Sequence, residues 1–309
     1  MRATASAAPG HLALVGATAS GKSALALALA RNDPTVEVVS VDAMGVYRGM
    51  DIGTAKPSPV EQAEVAHHLV DLADPWEDFS VARFQAAART SLADIEARGH
   101  RALLVGGTGL YLRAVVDDLT LPGRYPDTRA EIEAEPDTAT LHRRLVEVDP
   151  VAAARMEPSN RRRLVRALEV ALGSGRPFSS FGPGLDAYPP SPIAQVGLRL
   201  PLEYLDARMD TRIDAMLAAG FLDEVRSLLA HDRGLSPTAR QALGYRELAD
   251  HLEGRCSLEA AVAETRRRTR RFARRQLRWF RRDPRITWLG AQDNPVDLLP
   301  ALLGDWSLA

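Results

Sequence analysis

Gly16-Ala-Thr-Ala-Ser-Gly21-Lys22-Ser23 decides the fold, because this stretch fits the pattern G-x-x-x-x-G-K-[S/T] between an apolar run and an Ala/Leu-rich segment. Backbone N–H groups of such a loop and the following helix N-terminus surround phosphate oxygens. Lys22 would neutralise phosphate charge and Ser23 could ligate Mg²⁺. The pattern therefore predicts a diphosphate-bearing ligand without distinguishing ATP from another diphosphate ester. The residues assigned to diphosphate binding are Gly16, Ala17, Thr18, Ala19, Ser20, Gly21, Lys22 and Ser23.

Short β-branched runs alternate with helical patterns on both sides of this loop. The runs cover residues 11–16, 36–41, 101–106, 195–200 and 286–289. The helical patterns include residues 22–31, 81–98, 202–219, 221–231 and 258–282. This alternation predicts an α/β fold with a P-loop NTPase-like parallel sheet flanked by helices.

The middle of the chain lacks strand signals. Two Pro/Gly-rich patches, residues 121–126 and 173–192, bracket charged helical stretches there. We therefore predict a helical insertion domain at residues 123–189, which would bind a polyanion through Arg162, Arg163 and Arg166. A P-loop catalytic core at residues 1–122 and 190–309 would carry a C-terminal basic helix. The length of 309 residues fits one large domain or two modest ones.

Composition narrows the class of protein. A chain that is 46% hydrophobic and 26% charged is typical of a globular protein and excludes a fibrous or largely disordered one. The single cysteine, Cys256, excludes an internal disulfide. The first ten residues lack a long apolar run, and no stretch approaches the about 18 apolar residues of a membrane span. We expect a cytoplasmic protein, monomeric by default, without a membrane partner.

Charge is concentrated near the C-terminus. Residues 266–285 hold eleven arginines and one acid, Asp283, although the whole chain has a net charge of −1. Small or apolar residues at helical spacing, among them Thr265, Gln276 and Phe280, predict an inward face for this helix. The arginines would bind nucleic acid or, alternatively, pair with acids elsewhere in the chain. Trp279 would stack on a base or be buried.

Polar residues close two of the predicted strands. Asp42 could ligate Mg²⁺, act as a base or cap a turn, and Thr108 could contact phosphate or cap a helix. Only two of the 39 basic residues are lysines, Lys22 and Lys56, which suggests that a compact cation is needed at both positions.

These motifs resemble those of the tRNA dimethylallyltransferases of the bacterial type. The likeness runs nearly end to end and includes the phosphate-binding stretch, residues 41–57, residues 104–111, residues 149–155 and residues 166–170. Within residues 41–57 the likeness is carried by Val41-Asp42 and by residues 46–57. It also includes Gln241-Ala-Leu-Gly-Tyr245 and Arg274-Arg-Gln-Leu-Arg-Trp-Phe-Arg281. The resemblance implies transfer of a dimethylallyl group from dimethylallyl diphosphate to the exocyclic amine of adenosine 37 in the tRNA anticodon stem-loop, with Mg²⁺ as cofactor.

The resemblance also implies roles for individual residues. Asp42 would bind and deprotonate the amine, while Lys22, Ser23 with Mg²⁺, Thr108 and Arg212 would stabilise the departing diphosphate. The implied tRNA contacts are Asp42, Ala43, Met44, Gly45, Arg129, Arg162, Arg163, Arg166, Gln241, Gly244, Tyr245, Arg246, Arg274, Arg275, Gln276, Arg278, Trp279 and Arg281. The chain departs from the family at Gly45 and Ala43, where members usually have Gln and often have Ser.

Three other functions fit parts of the sequence. An adenylate isopentenyltransferase or a P-loop small-molecule kinase or NTPase would share the phosphate loop but would have no use for the arginine-rich helix. A nucleic-acid-binding module without chemistry would have no use for the loop.

Overall fold

The computed structural model of the chain describes residues 10–290 and 294–307, so most of the N-terminal stretch used above lies outside it. Within the described residues, six parallel strands form one sheet in the order β3-β2-β4-β1-β5-β6. The strands are β1 Leu12–Gly16, β2 Val36–Val41, β3 His67–His68, β4 Arg101–Gly106, β5 Ala194–Arg199 and β6 Ile286–Gly290. Apolar runs predict five of them. The two-residue strand β3 is too short and too polar for such a signal.

Helices connect the strands and flank the sheet. The chain before the insertion carries α1 Lys22–Asn32, α2 Pro59–Glu64, α3 Val81–Ala97 and α4 Gly109–Val116. The middle of the chain carries α5 Pro126–Glu133, α6 Thr138–Val148, α7 Pro150–Ala154 and α8 Arg161–Ser174. The remainder carries α9 Leu202–Ala218, α10 Phe221–Leu229, α11 Pro237–Arg240, α12 Tyr245–Leu252, α13 Leu258–Phe280 and α14 Leu299–Ser307, with 3₁₀ turns at Phe178–Phe181 and Pro295–Leu298. The predicted fold class is confirmed.

Alternate residues of the strands supply two hydrophobic cores. Ala13 and Val15 of β1 point to one face of the sheet, whereas Leu12 and Leu14 point to the other. All four side chains are fully buried. Burial on both faces explains why the strands read as continuous apolar runs rather than as alternating patterns.

The described chain divides into two compact units. Asp118–Pro189 forms the insertion unit, and the chain on either side of it forms the core unit. The insertion unit has its own hydrophobic core, in which Leu141 and Leu145 of α6 pack with Leu164 and Leu168 of α8. Helix α8 begins after Asn160, whose side chain accepts a hydrogen bond from the backbone N–H of Arg163.

The core unit closes on itself where the insertion leaves it. Ser191 Oγ donates a hydrogen bond of 2.8 Å to the backbone oxygen of Val116. The exit and return points of the chain therefore lie side by side. Among the helices that the structure describes, none has the length and apolar character needed to cross a membrane.

Candidate active site

Three neighbouring strands deliver the predicted site to one edge of the sheet. The phosphate loop, residues 16–23, follows β1, Asp42 follows β2, and Thr108 lies two residues after β4. Since β4 lies between β2 and β1, the carboxyl ends of all three strands meet at this edge. Ligands of open parallel sheets bind in this position.

The phosphate loop turns into α1 through a left-handed residue. Gly21 caps the helix with φ of 89°, a conformation that side chains rarely adopt. Lys22 is buried and folds back over the loop, where its Nζ donates a hydrogen bond of 2.7 Å to the backbone oxygen of Ala17. The lysine thus lies inside the curve of the loop at the start of the helix.

The buried Lys22, the half-buried Arg212 and one carboxylate interact in the site. Burial lowers the pKa of Lys22 to about 7, with a further lowering by Arg212 and an opposing effect of Asp42. Burial also lowers the pKa of the half-buried Arg212, and Asp42 again opposes the shift. Asp42 is therefore close enough to both cations for its charge to stabilise them.

Asp42 and Thr108 also organise the backbone around them. Asp42 Oδ1 accepts hydrogen bonds from the N–H groups of Met44 at 2.7 Å and Gly45 at 3.1 Å, so the turn-cap interpretation holds for this oxygen. Thr108 is the N-cap residue of α4, but its Oγ1 accepts from the N–H of Ala43 at 3.2 Å rather than from the helix. Ala43 and Gly45 act here through their backbone, and these contacts do not require the side chains usual in the family.

Ser23 is the predicted metal ligand. Its side chain is exposed in the first turn of α1, directly after Lys22. It offers one neutral oxygen, so a Mg²⁺ ion here would take its remaining ligands from phosphate and water. Mg²⁺ is commonly held in this way at phosphate-binding sites.

The inward face of α13 contacts the site directly. The buried Gln276 accepts a hydrogen bond from the N–H of Thr18 in the phosphate loop and donates one to the backbone oxygen of Gly107. Trp279 is half-buried and packs against Gly109 at the start of α4. The periodicity of the sequence predicts this inward position for Gln276, whereas the resemblance assigns it to tRNA contact.

One stripe of α13 is paired with acids of α9. Arg274 bonds to Asp206 at 2.9 Å, and Arg270 and Arg266 pair with Asp210 and Asp214. These arginines do not need a polyanion to balance their charge, because helix α9 supplies a carboxylate at every turn. The side chain of Arg274 is still 42% exposed, and its contact with tRNA stays a prediction. The alternative of a salt-paired face is correct there.

A second stripe of α13 is exposed and has no acidic partner within the described chain. It consists of Arg271, Arg275, Arg278 and Arg281. Next to it, the pKa of Arg268 is lowered, first by burial and then by the like charges of Arg246, Arg275 and Arg271. Arg246, Arg271 and Arg275 therefore each lie close enough to repel Arg268, although Glu247 partly compensates its charge. An anionic partner would relieve that repulsion.

The loop after Asp42 is held in place by Glu224, a residue that the sequence does not single out. Glu224 accepts hydrogen bonds from the N–H groups of Asp51 and Ile52 and from the hydroxyl of Tyr245. Burial and the charge of Glu224 raise the pKa of Tyr245. Glu224 is an ordinary acid in the first turn of α10 and carries no signal in the sequence.

Lys56 completes this loop. Its side chain is 3% exposed, and its Nζ donates to the backbone oxygen of Tyr47, to Asp51 and to Asp71 at 2.5–2.8 Å. All three donors of the ammonium group are thus used within the protein. The compact cation predicted at this position therefore has its partners within the protein, and none of its three donors is left for a ligand.

The other predicted tRNA contacts of the core unit divide by exposure. Gln241 and Arg246 are exposed, whereas Gly244 and Tyr245 are buried. The backbone N–H of Gly244 donates to Glu247 at the start of α12. The buried pair therefore positions α12, and the exposed pair is accessible to a partner.

The predicted contacts of the insertion unit also divide. Arg166 and Arg129 both bond to the buried carboxylate of Glu169, which further accepts from the N–H of Tyr125. Arg162 and Arg163, in the first turn of α8, are exposed. Arg129 and Arg166 thus have internal partners, and Arg162 and Arg163 are accessible.

Fold and site together define a class: an α/β protein with an all-parallel sheet, a glycine-rich loop after the first strand, a buried lysine and a half-buried arginine that interact with an aspartate, and an arginine-rich helix packed on the loop. The sequence profile described as IPP transferase matches residues 45–283. The chain belongs to the IPP transferase family, and the resemblance seen in the sequence is confirmed.

Individual relatives agree with this assignment. The chain is 50% identical to a tRNA dimethylallyltransferase of Kineococcus radiotolerans over 302 residues, covering 94% of this chain and 95% of the relative. It is 51% identical over 296 residues to one from Roseiflexus castenholzii, covering 93% and 94%.

Solved structures give the same result. The full-length tRNA isopentenylpyrophosphate transferase of Bacillus halodurans is similar with a TM-score of 0.70 and 38% identity, covering 97% of both chains. A eukaryotic dimethylallyltransferase acting on tRNA is similar with a TM-score of 0.80 and 26% identity, covering 96% of this chain and 79% of its own.

Proposed function

We propose that the protein transfers the dimethylallyl group of dimethylallyl diphosphate to the exocyclic amine of adenosine 37 in tRNA and releases diphosphate. The observation that carries this proposal is that the phosphate loop, Asp42 and Thr108 lie together at the carboxyl ends of β1, β2 and β4, where the charge of Asp42 acts on Lys22 and Arg212. The base that accepts the proton and the cations that stabilise the leaving group then lie next to each other at the carboxyl ends of the strands.

The reaction follows from this arrangement. The amine nitrogen forms a bond to C1 of the dimethylallyl group as the bond from C1 to the diphosphate oxygen breaks. Asp42 accepts the proton that the amine loses, through the oxygen Oδ2 that does not cap the turn. Lys22, Arg212, Thr108 and the N–H groups of the phosphate loop stabilise the charge that develops on the diphosphate. Mg²⁺ held by Ser23 would supply further positive charge to the phosphate oxygens.

Binding of tRNA is assigned to the exposed arginines. The unpaired stripe of α13, with Arg246, offers bidentate contacts to phosphates, and Arg162 and Arg163 offer more from the insertion unit. The adenine has to leave the base stack to reach Asp42, which costs a few kcal/mol. Numerous phosphate contacts can offset that cost.

A single assay separates this function from its alternatives. The protein is incubated with radiolabelled dimethylallyl diphosphate, Mg²⁺ and unmodified tRNA, adenine nucleotides or ATP alone. We expect label on tRNA. Label on free nucleotides but never on tRNA would indicate an adenylate isopentenyltransferase, and ATP hydrolysis without prenyl transfer would indicate a kinase or NTPase.

We further propose that the protein acts as a cytoplasmic monomer with Mg²⁺ as its cofactor. The lone cysteine, Cys256, fits a reducing compartment. Light scattering of the purified protein tests the oligomeric state, and transfer assays in EDTA with Mg²⁺ restored test the metal.

A further inference from the structure

Gln276 occupies an unusual position for a residue of an arginine-rich helix. It lies on the inward face of α13 and is only 7% exposed. Its neighbours Arg275 and Arg278 are exposed on the opposite side of the same helical turn. Both polar atoms of its amide bond to the backbone of the protein, which gives this side chain a role besides the predicted tRNA contact.

The amide of Gln276 is held in one orientation by its two partners. Thr18 offers an N–H group at 2.8 Å, which requires an acceptor, and Gly107 offers a carbonyl oxygen at 2.9 Å, which requires a donor. A neutral amide, which has both a donor and an acceptor, satisfies both partners at once. A carboxylate would place oxygen against the carbonyl of Gly107, and an apolar side chain would leave both backbone groups without a partner.

The two partners of Gln276 lie on two different segments of the site. Thr18 lies in the phosphate loop, and Gly107 precedes Thr108, whose hydroxyl accepts from Ala43 next to Asp42. Hydrogen bonds thus run from the phosphate loop through Gln276 to the segment that holds the base. A Cβ atom at Gly107 would lie 2.2 Å from Gln276 Nε2, so the contact also depends on a glycine.

We infer that Gln276 is a positioning residue that couples tRNA binding on the outer face of α13 to the geometry of the diphosphate site beneath it. This inference rests on the proposed function. Contacts of Arg275 and Arg278 with tRNA fix the helix, and Gln276 passes that constraint to Thr18 and Gly107. Since coupling between two binding sites is reciprocal, bound diphosphate should strengthen tRNA binding by the same factor.

The test compares Gln276→Met with the wild type by calorimetric titration with Mg²⁺-diphosphate, with and without saturating unmodified tRNA. In the wild type, tRNA should tighten diphosphate binding at least about fivefold. In Gln276→Met, diphosphate should bind about tenfold more weakly, a loss typical of two buried hydrogen bonds, and the coupling factor should fall towards one. Affinity for tRNA alone should stay near the wild-type value.

Three further variants complete the test. Gln195→Met is the matched control, because Gln195 is a buried glutamine of β5 whose amide has no hydrogen-bond partner among the described residues; it should retain the coupling. Gln276→Glu, which keeps an acceptor for Thr18, replaces Gln276→Met if the latter does not fold, and it should also lose coupling. Arg278→Gln should instead weaken tRNA binding and leave diphosphate binding unchanged.

Two results would overturn the inference: a wild type without coupling, or a Gln276→Met variant that loses tRNA affinity as Arg278→Gln does while its diphosphate site is unaltered. Because these measurements follow binding alone, they stand apart from the product assay. A protein that couples the binding of the two ligands but prenylates nothing would refute the proposed function and leave this inference standing.

Discussion

Arg274 of α13 and Asp206 of α9 are joined by a hydrogen bond of 2.9 Å, although 68 residues separate them in the sequence. The same relationship recurs one and two turns away, with Arg270 on Asp210 and Arg266 on Asp214. The arginine-rich helix therefore has a face that binds its own protein and another face that is accessible to a partner. This division leads to the first prediction.

Replacing the unpaired residues Arg271, Arg275 and Arg278 with glutamine should weaken tRNA binding. The slope of log affinity against log salt should fall by about 0.7–0.9 for each phosphate contact removed. The matched variant replaces Arg266, Arg270 and Arg274 instead. It should leave the slope nearly unchanged and lower the melting temperature, because like charges on α9 then face each other at four-residue spacing. Equal slopes in both variants would contradict the assignment of the two faces.

Asp42→Asn should slow dimethylallyl transfer by at least ~10²-fold while tRNA binding stays nearly intact. Asparagine keeps the oxygen that accepts from Met44 and Gly45, so the turn is retained and only the base is lost. Asp42→Ala removes both functions and should also weaken tRNA binding. Single-turnover assays with saturating donor measure the rate, and a near-normal rate for Asp42→Asn would reduce Asp42 to a turn cap.

Diphosphate affinity should decrease as the pH rises above about 7, because the pKa of Lys22 in the folded protein is about 7. Below this pH the ammonium group is charged and attracts the anion. Above it, binding requires uptake of one proton, so affinity falls by up to about tenfold per pH unit.

The ligand also titrates in this range, so the pH profile of Lys22→Met serves as the reference. The difference between the two pH profiles is the contribution of Lys22 to diphosphate affinity. Parallel profiles for the two proteins would show that Lys22 does not titrate here.

Lys56→Met should lower the free energy of unfolding by about 2 kcal/mol, a typical cost for losing hydrogen bonds to charged groups. The side chains of Asp51 and Asp71 are 60% and 40% exposed, so water replaces part of the lost interaction. Urea unfolding measures the effect. Lys56→Arg keeps the charge but not the compact arrangement of donors, and it should recover only part of the stability. If Lys56→Met kept its full stability but bound dimethylallyl diphosphate weakly, Lys56 would instead be a ligand-binding residue.

Local patterns in the sequence predict five of the six described strands and place the candidate site residues at one edge of the sheet. The phosphate loop, Asp42 and Thr108 each follow an apolar run, and parallel strands bring such positions together at one edge. The pairing of α13 with α9 could not be predicted in this way, because its acids lie 52 to 68 residues from the arginines. Residues 266–282 taken alone show only like charges. Glu224, which lies 173 residues from Asp51, and Glu169, which lies 40 residues from Arg129, could not be predicted for the same reason. Glu169 lies only three residues from Arg166, so that pair is a local one that the charge pattern of α8 could have shown.

Gln276 shows how two kinds of inference can disagree. Helical periodicity places it on the inward face, where the structure has it, whereas the family motif groups it with the arginines on either side. A motif lists residues that occur together, but it does not state which side of the helix each one serves.

The hydrogen bond between Ser191 and Val116 has a consequence for protein engineering. Because the main chain departs and comes back at one point of the core unit, a short glycine bridge could replace the 72 residues Asp118–Pro189 at little entropic cost. Such a miniature enzyme would retain every strand of the sheet. Assays of this shortened protein with RNA hairpins as substrates would then show how far RNA binding by the insertion unit is needed for the reaction.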